Sequence, residues 1–276
     1  ADTATVTISG MTAGTLTVDA GIESLGLVSS GSANTVALTA TGANTLTLTG
    51  AQDMTLSTAN TVAETINAAA ATGKVTVTTD NVNDTTVTGG SGNDSITSTG
   101  SSATTVTINA GAGDDTITHT AALTGADVID GGDGTDTLVS TTAQLKALTI
   151  NATTAKITNI EAITVTDEYV DTTNAINTSG LIQATGIQTV TLKAASTTAA
   201  DDITTGDEAI TMSAGANTLN LGSSLAGNQS HLGGVLTVND TGTAATDSIV
   251  VNNKSLNSTT GANVDIGDIG TTTTGF

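Results

Sequence analysis

Three nine-residue segments of this chain carry glycine and aspartate at fixed positions. They read GGSGNDSIT from Gly89, AGAGDDTIT from Ala110 and GGDGTDTLV from Gly131, and each begins 21 residues after the one before it. Glycine allows positive φ, so tight turns of this kind can point several backbone carbonyl oxygens at one centre. Calcium is a hard cation that takes roughly six to eight oxygen ligands, and the aspartate at the sixth position adds a carboxylate. The segments therefore predict calcium ions bound in turns.

The predicted calcium ligands are side chains and backbone groups of these turns. Asp94, Asp115 and Asp136 occupy the sixth position and are expected to form one column, with ions between successive turns. Gly125 and Asp127 fit the fourth and sixth positions of a further turn that runs into Gly131 on the opposite edge. The remaining residues assigned to the sites are Gly89, Gly90, Ser91, Gly92, Gly111, Ala112, Gly113, Asp114, Gly131, Gly132, Asp133 and Gly134. The pattern leaves open whether Asp114 and Asp133 are additional ligands or solvated side chains.

The constant spacing of 21 residues also indicates the fold class. Two sets of apolar residues keep this spacing: Ile96, Ile117 and Leu138, and Val87, Ile108 and Ile129. Equivalent residues of successive coils stack on one another in a parallel β-solenoid, whereas a β-sandwich has no reason to hold such a register. We therefore predict an all-β parallel β-solenoid with two strands and two turns in each coil. Continuing the register backwards adds Ile66 and Val75 to the two core columns.

Short runs in which apolar residues alternate with threonine occur along the whole chain. Examples are TVTI at 5–8, TLTL at 45–48 and TVTL at 189–192. This period of two is typical of strands with one buried face, and disordered segments lack it. We predict a solenoid over 1–166, with calcium turns at 89–139, and a further β-rich solenoid or sub-domain over 167–276. The boundary follows a change of composition at 166–179, TDEYVDTTNAINTS.

Charge and composition exclude several classes of partner. The net charge is −21 with only five basic residues, which excludes nucleic-acid binding because that requires a cationic face. The same charge opposes binding to an anionic membrane surface. No apolar run is long enough to span a bilayer, so direct membrane insertion is not expected. Carboxylates in this excess repel one another, and divalent cations would neutralise them.

The chain offers no constellation of catalytic residues. It contains no cysteine, and its only histidines, His119 and His231, are far apart and fit neither a zinc site nor a triad. We expect both histidines in solvent-exposed turns. Paired carboxylates are present, but the aromatic platforms that a glycosidase needs are absent, since Tyr169 and Phe276 are the only aromatic residues. The sequence predicts that this protein is not an enzyme.

One stretch of the sequence resembles a known family. The GGxGxDxUx turns, above all GADVIDGGDGTDTLVS at 125–140 followed by NIEAITVTD at 159–167, resemble RTX-type surface-layer (S-layer) proteins of Gram-negative bacteria. The resemblance implies a secreted structural protein, exported by type I secretion, whose copies assemble into a calcium-dependent two-dimensional lattice on the cell surface. It also implies attachment to lipopolysaccharide through regions outside this chain.

Two other functions share the same calcium turns. The first is a stalk or module of a large secreted RTX adhesin, although such adhesins usually repeat sandwich domains that this sequence lacks. The second is the calcium-folding tail of a secreted enzyme, which would require a catalytic domain outside these residues. The turns alone do not separate these alternatives from the surface-layer hypothesis.

Overall fold

The computed structural model describes residues 1–59, 62–79, 83–99, 104–120, 124, 126–141, 144, 156–166, 176–177, 189–192, 208–212, 216–221, 235–240, 248–253 and 263–266. The regular elements within these residues are β-strands that pair in parallel and stack as the coils of a β-solenoid. The predicted all-β class and parallel β-solenoid are confirmed. Within the same residues, no helix has the length and apolar character needed to cross a membrane.

The chain divides into two compact units, Ala1–Leu138 and Val139–Phe276. This division precedes the boundary at 166 that the sequence indicated. Residues 167–175 lie outside the described part of the chain, so the boundary at 166 stays a prediction.

The first unit contains the strands that carry the calcium turns. They are β1 Thr3–Ser9, β2 Thr15–Val18, β3 Ser24–Ser30, β4 Asn34–Ala40, β5 Thr45–Gly50, β6 Met54–Leu56, β7 Thr65–Ala71, β8 Val75–Thr79, β9 Thr85–Thr88, β10 Ser95–Ser98, β11 Val106–Asn109, β12 Thr116–His119 and β13 Val128–Asp130, followed by β14 Thr137–Ser140, which begins in this unit. The odd-numbered strands form one parallel sheet and the even-numbered strands form another, each in chain order. We call these the odd sheet and the even sheet, and each coil contributes one strand to both.

The strand register confirms most of the predicted 21-residue columns. Val87 pairs with Ile108 and Ile108 with Ile129 in the odd sheet, and Ile96 pairs with Ile117 in the even sheet. Continued backwards, the register holds for Ile66, which pairs with Val87.

The prediction was wrong at Val75, because Ile96 pairs with Val77 instead. The segment from Ile66 to Val77 lacks a GGxGxD turn and is two residues longer than the segment from Val87 to Ile96, with whose ends it pairs. Val75 therefore lies beside the position of Asp94.

Alternation along the strands produces a thin apolar core between the two sheets. Successive side chains of a strand point to opposite faces, so every second residue is buried. The largest fully buried side chains are Leu25, Leu27, Leu46, Leu48, Met54, Ile66, Ile96, Ile108, Ile117 and Ile129. Burying one such side chain contributes roughly 1.5–3 kcal/mol, and the stack depends on many of these small contributions in the absence of tryptophan.

The second unit continues the same pattern of parallel strands. They are β15 Lys156–Thr158, β16 Ala162–Val165, β17 Ile176–Asn177, β18 Thr189–Leu192, β19 Glu208–Met212, β20 Ala216–Leu221, β21 Val235–Asp240, β22 Ser248–Asn253 and β23 Asn263–Ile266. Strands β16, β18, β20 and β22 lie side by side, as do β17, β19, β21 and β23. In the NIEAITV segment, Ile160, Ile163 and Val165 are buried.

Replacing Ile108 with alanine tests the core column. Ile108 is fully buried in the odd sheet between Val87 and Ile129, so we expect Ile108→Ala to lower the free energy of unfolding by about 2–5 kcal/mol. Thr107→Ala, which changes the outward neighbour on the same strand, should alter it by less than about 0.5 kcal/mol. Urea denaturation followed by circular dichroism measures both variants, and equal losses would contradict the assigned core.

Candidate calcium site

The three sixth-position aspartates stack on one another where the chain enters the even sheet. Asp94, Asp115 and Asp136 directly precede β10, β12 and β14. The backbone amide of Asp94 donates to Oδ1 of Asp115 at 2.6 Å, and the amide of Asp115 donates to Oδ1 of Asp136 at 2.8 Å. The structure therefore brings these three carboxylates into one line, which we call the aspartate column.

The aspartate column is buried and begins at Asp94. Asp94 and Asp115 are each 1 % exposed and Asp136 is 0 % exposed. Oδ1 of Asp94 accepts a hydrogen bond from the amide of Val75 at 2.7 Å, and Oδ2 accepts one from the amide of Gly90 at 2.7 Å. In the coil before Asp94, Val75 occupies the corresponding position, and in the coil before that Met54 does. Neither residue has a carboxylate that could extend the column.

Asp115, at the middle of the column, has a carboxylate oxygen that the protein does not satisfy. Within the described residues, its Oδ2 is buried and has no hydrogen-bond partner. Burial raises the pKa of Asp115 to about 7; the amide of Asp94 opposes this shift, and the carboxylates of Asp94, Asp136 and Asp114 add to it. A buried, ionised carboxylate is costly unless a positive charge compensates it. A cation beside Asp115 would supply that charge, and carboxylate oxygens are among the ligands that calcium takes.

Asp94 differs from Asp115 in how much the protein compensates its charge. Burial raises its pKa, while the hydrogen bonds from the amides of Gly90 and Val75 and the positive charge of Lys74 lower it. Its two oxygens therefore already have protein donors. The unmet demand for positive charge lies further along the column, at Asp115.

Glycine is required in these turns because successive turns stack closely. Gly111 has φ +108° and Gly132 has φ +98°, a region that favours glycine. A Cβ at Gly132 would clash with the carbonyl oxygen of Gly111, and a Cβ at Gly111 would clash with that of Gly90. The first position differs between turns: the side chain of Ala110 is fully buried, whereas a Cβ at Gly89 would clash with the carbonyl oxygen of Ala110.

The backbone carbonyls of the turns form hydrogen bonds between coils. The amide of Ala112 donates to the carbonyl of Gly90 at 3.0 Å, and that of Asp133 donates to the carbonyl of Gly111 at 2.9 Å. A carbonyl oxygen has two lone pairs, so each can also ligate a cation. In the described part of the chain, no three histidine, cysteine or acidic side chains converge on a metal position. Backbone carbonyls would therefore supply most ligands of a calcium ion here.

The remaining predicted turn residues lie around the column. Gly89, Gly90 and Gly131 are buried and Ser91 is exposed, whereas Gly92, Gly113 and Ala112 are half-buried; Gly134 is exposed. Ala112 forms a parallel bridge with Asp133. These residues form the backbone of the stacked turns. Their carbonyl oxygens stay predicted ligands of calcium.

The side chains of Asp114 and Asp133 lie on the exposed side of the turns. Oδ1 of Asp114 accepts a hydrogen bond from the amide of Thr135 at 3.0 Å, and Oδ1 of Asn93 accepts one from the amide of Asp114 at 3.0 Å. This outer series links each turn to the next coil. A structural role for Asp114 is thereby visible, and its role as a ligand stays a prediction.

Asp127 lies apart from the aspartate column, immediately before β13, and Gly125 is outside the described residues. Asp127 is 3 % exposed. Its Oδ1 accepts a hydrogen bond from the amide of Val106 at 2.8 Å, and its Oδ2 accepts one from the amide of Thr124 at 2.6 Å. The structure therefore shows Asp127 joining two coils through their backbone amides.

His119 was expected in an exposed turn, and the structure corrects this. Its side chain is 1 % exposed at the end of β12, beside Ser98 of β10. Burial lowers its pKa, and the carboxylate of Asp127 opposes that shift. The sequence did carry the signal, because His119 follows the buried Ile117 at a spacing of two. His231 lies outside the described residues.

The raised pKa of Asp115 predicts a pH dependence in calcium-free protein. The folded form of Asp115 binds a proton up to about pH 7, whereas the unfolded chain releases it near the ordinary aspartate pKa of 3.8. Stability from this group is therefore complete below about pH 4 and is lost as the pH rises to about 7, by up to about 1.4 kcal/mol per pH unit. Circular dichroism in EGTA should show more strand at pH 5 than at pH 8. Asp115→Asn should flatten this difference, and an unchanged difference would contradict the assignment.

No protein-family model matches the chain, and neither the curated proteins nor the solved structures include a match to it.

Proposed function

We propose that this chain is a structural protein of a bacterial surface layer, a β-solenoid that calcium stabilises outside the cell. The observation that carries the proposal is the buried aspartate column, in which Oδ2 of Asp115 has no hydrogen-bond partner within the described residues. A protein that folds around such a group needs either a proton or a cation at that position. At neutral pH a divalent cation is the better partner, because Asp115 also faces Asp94 and Asp136.

Calcium would bind between successive turns of the column. Three stacked aspartates leave two intervals, so we propose one ion between Asp94 and Asp115 and one between Asp115 and Asp136. Carbonyls of the glycine turns would complete each ligand set. The bound ions supply positive charge between coils, which offsets carboxylate repulsion and holds one coil on the next.

Two arguments support the surface-layer role: the calcium dependence proposed for the aspartate column, and the resemblance to RTX-type surface-layer proteins. A calcium-dependent fold suits type I secretion, because the chain stays unfolded in a calcium-poor cytoplasm and folds in the extracellular medium. Identical copies would then assemble into a two-dimensional lattice. Attachment to lipopolysaccharide would use regions outside this chain, and the chain itself would perform no catalysis.

Removing calcium is expected to unfold the protein at neutral pH. EGTA should lower the strand signal in circular dichroism and the melting temperature, and added calcium should restore both. Asp115→Asn should reduce this response because Asp115 borders both proposed sites. Asp53→Asn is the matched control: Asp53 is exposed, and its Oδ1 accepts a hydrogen bond from the amide of Lys74, an interaction that asparagine can keep. The same strand content and melting temperature with and without EGTA would refute calcium stabilisation.

Electron microscopy distinguishes the surface-layer role from the alternatives. Purified protein with millimolar calcium is expected to form ordered two-dimensional sheets that disperse on addition of EGTA. Discrete particles under the same conditions would contradict lattice assembly while leaving calcium binding intact. They would favour a module of an RTX adhesin or the calcium-folding tail of a secreted enzyme.

A further inference from the structure

The outward face of the even sheet carries hydroxyl side chains in a regular array. Ser95 of β10 lies between Thr76 of β8 and Thr116 of β12, and Thr97 lies between Thr78 and Thr118. We call these six residues, Thr76, Thr78, Ser95, Thr97, Thr116 and Thr118, the threonine face. Three adjacent coils thus present two hydroxyl groups each, at matching positions.

One column of the threonine face continues into neighbouring coils. Thr35 pairs with Thr55, and Thr55 pairs with Thr76. At the other end, the amide of Thr137 donates to the carbonyl of Asp115, just as the amide of Thr116 donates to that of Asp94. This column therefore carries a hydroxyl side chain in every coil from β4 to β14.

The hydroxyl groups of the threonine face are available to an external partner. Within the described residues, none of the six side chains forms a hydrogen bond to the protein, and all six are at least partly exposed. Thr99, just beyond this face, shows the contrast, because its Oγ1 donates to the carbonyl of Thr79 at 3.0 Å. None of the six carries a charge, although the chain has a net charge of −21.

The spacing of these hydroxyl groups is fixed by the backbone in two directions. Adjacent strands are about 4.8 Å apart, and residues i and i+2 of a parallel strand are about 6.6 Å apart. Threonine is β-branched and restricted at χ1, so its hydroxyl and methyl groups hold their positions better than those of most polar side chains. The result is an uncharged array of hydroxyl groups that repeats along the strands and across them.

The geometry points to ice as the partner of the threonine face. Oxygen atoms on the surfaces of hexagonal ice repeat at distances of the same size in two directions. Ordering a water molecule costs entropy, and a preorganised array of hydroxyl groups lowers that cost by holding the first water layer in position. Charge also fits, because an uncharged face of an acidic protein matches a ligand that has no charge.

The odd sheet lacks a complete array of this kind. One of its outward columns carries hydroxyl side chains, but the column beside it does not. The registers place Ser24, Thr45, Thr65, Thr86 and Thr107 in the first column, and Gly26, Asn67, Asn109 and Asp130 in the second. The pairing of β5 with β7 also has a register shift between Thr47 and Thr49. The inference is therefore specific to the even sheet, and it does not depend on the surface-layer role.

Incorporation into growing ice tests this inference directly. Fluorescently labelled full-length protein with calcium is placed around a chilled probe, and the ice that forms is separated from the liquid. We expect the wild-type protein to enter the ice, whereas labelled albumin stays in the liquid. Thr97→Lys with Thr118→Lys places two charges on adjacent strands of the threonine face and should reduce incorporation to the level of albumin.

The matched control places the same charges on the other sheet. Thr86 and Thr107 are paired outward residues of β9 and β11, so Thr86→Lys with Thr107→Lys should enter the ice as the wild-type protein does. Circular dichroism shows whether both variants fold. Exclusion of the wild-type protein from ice would overturn the inference. If the excluded protein sediments with an insoluble polysaccharide or self-associates, the threonine face has a different partner. Equal incorporation of both variants, or loss in the control alone, would overturn the assignment to this face.

Discussion

A buried line of like charges is the constraint on which this solenoid depends. Asp94, Asp115 and Asp136 stack within the protein, and each Oδ1 of this series accepts a backbone amide from the preceding coil. The geometry that joins the coils thus places carboxylates of the same sign next to one another. Hydrogen bonds satisfy part of this charge, but one oxygen of Asp115 has no protein partner among the described residues. At neutral pH the folded chain needs a proton or a cation at that oxygen.

Much of this arrangement could be predicted from the sequence, because stacking in a solenoid repeats local chemistry. Alternating apolar residues predicted strands, and a constant spacing predicted which of them share a column, as Val87, Ile108 and Ile129 do. The glycines were predicted from backbone freedom, and the structure adds a reason that no single turn reveals. At Gly132 a side chain would collide with the coil before it, so the stack itself requires glycine there.

The predictions failed where a position depends on a neighbouring coil of different length. Counting in steps of 21 predicted Val75, but the two additional residues between Ile66 and Val77 move Val77 beside Ile96 and bring Val75 to the end of the aspartate column. His119 was judged by residue type, whereas its place in the alternation buries it. In both cases the position of a residue within its coil, and not its chemical class, determined its environment.

The position of bound metal tests the central claim most directly. Crystals grown with calcium, with the metal located by its anomalous scattering, should show one ion between Asp94 and Asp115 and another between Asp115 and Asp136. Each ion should lie roughly 2.3–2.6 Å from its carboxylate and carbonyl oxygens. An aspartate column with the same geometry and no ion within bonding distance, in crystals that contain millimolar calcium, would contradict the account.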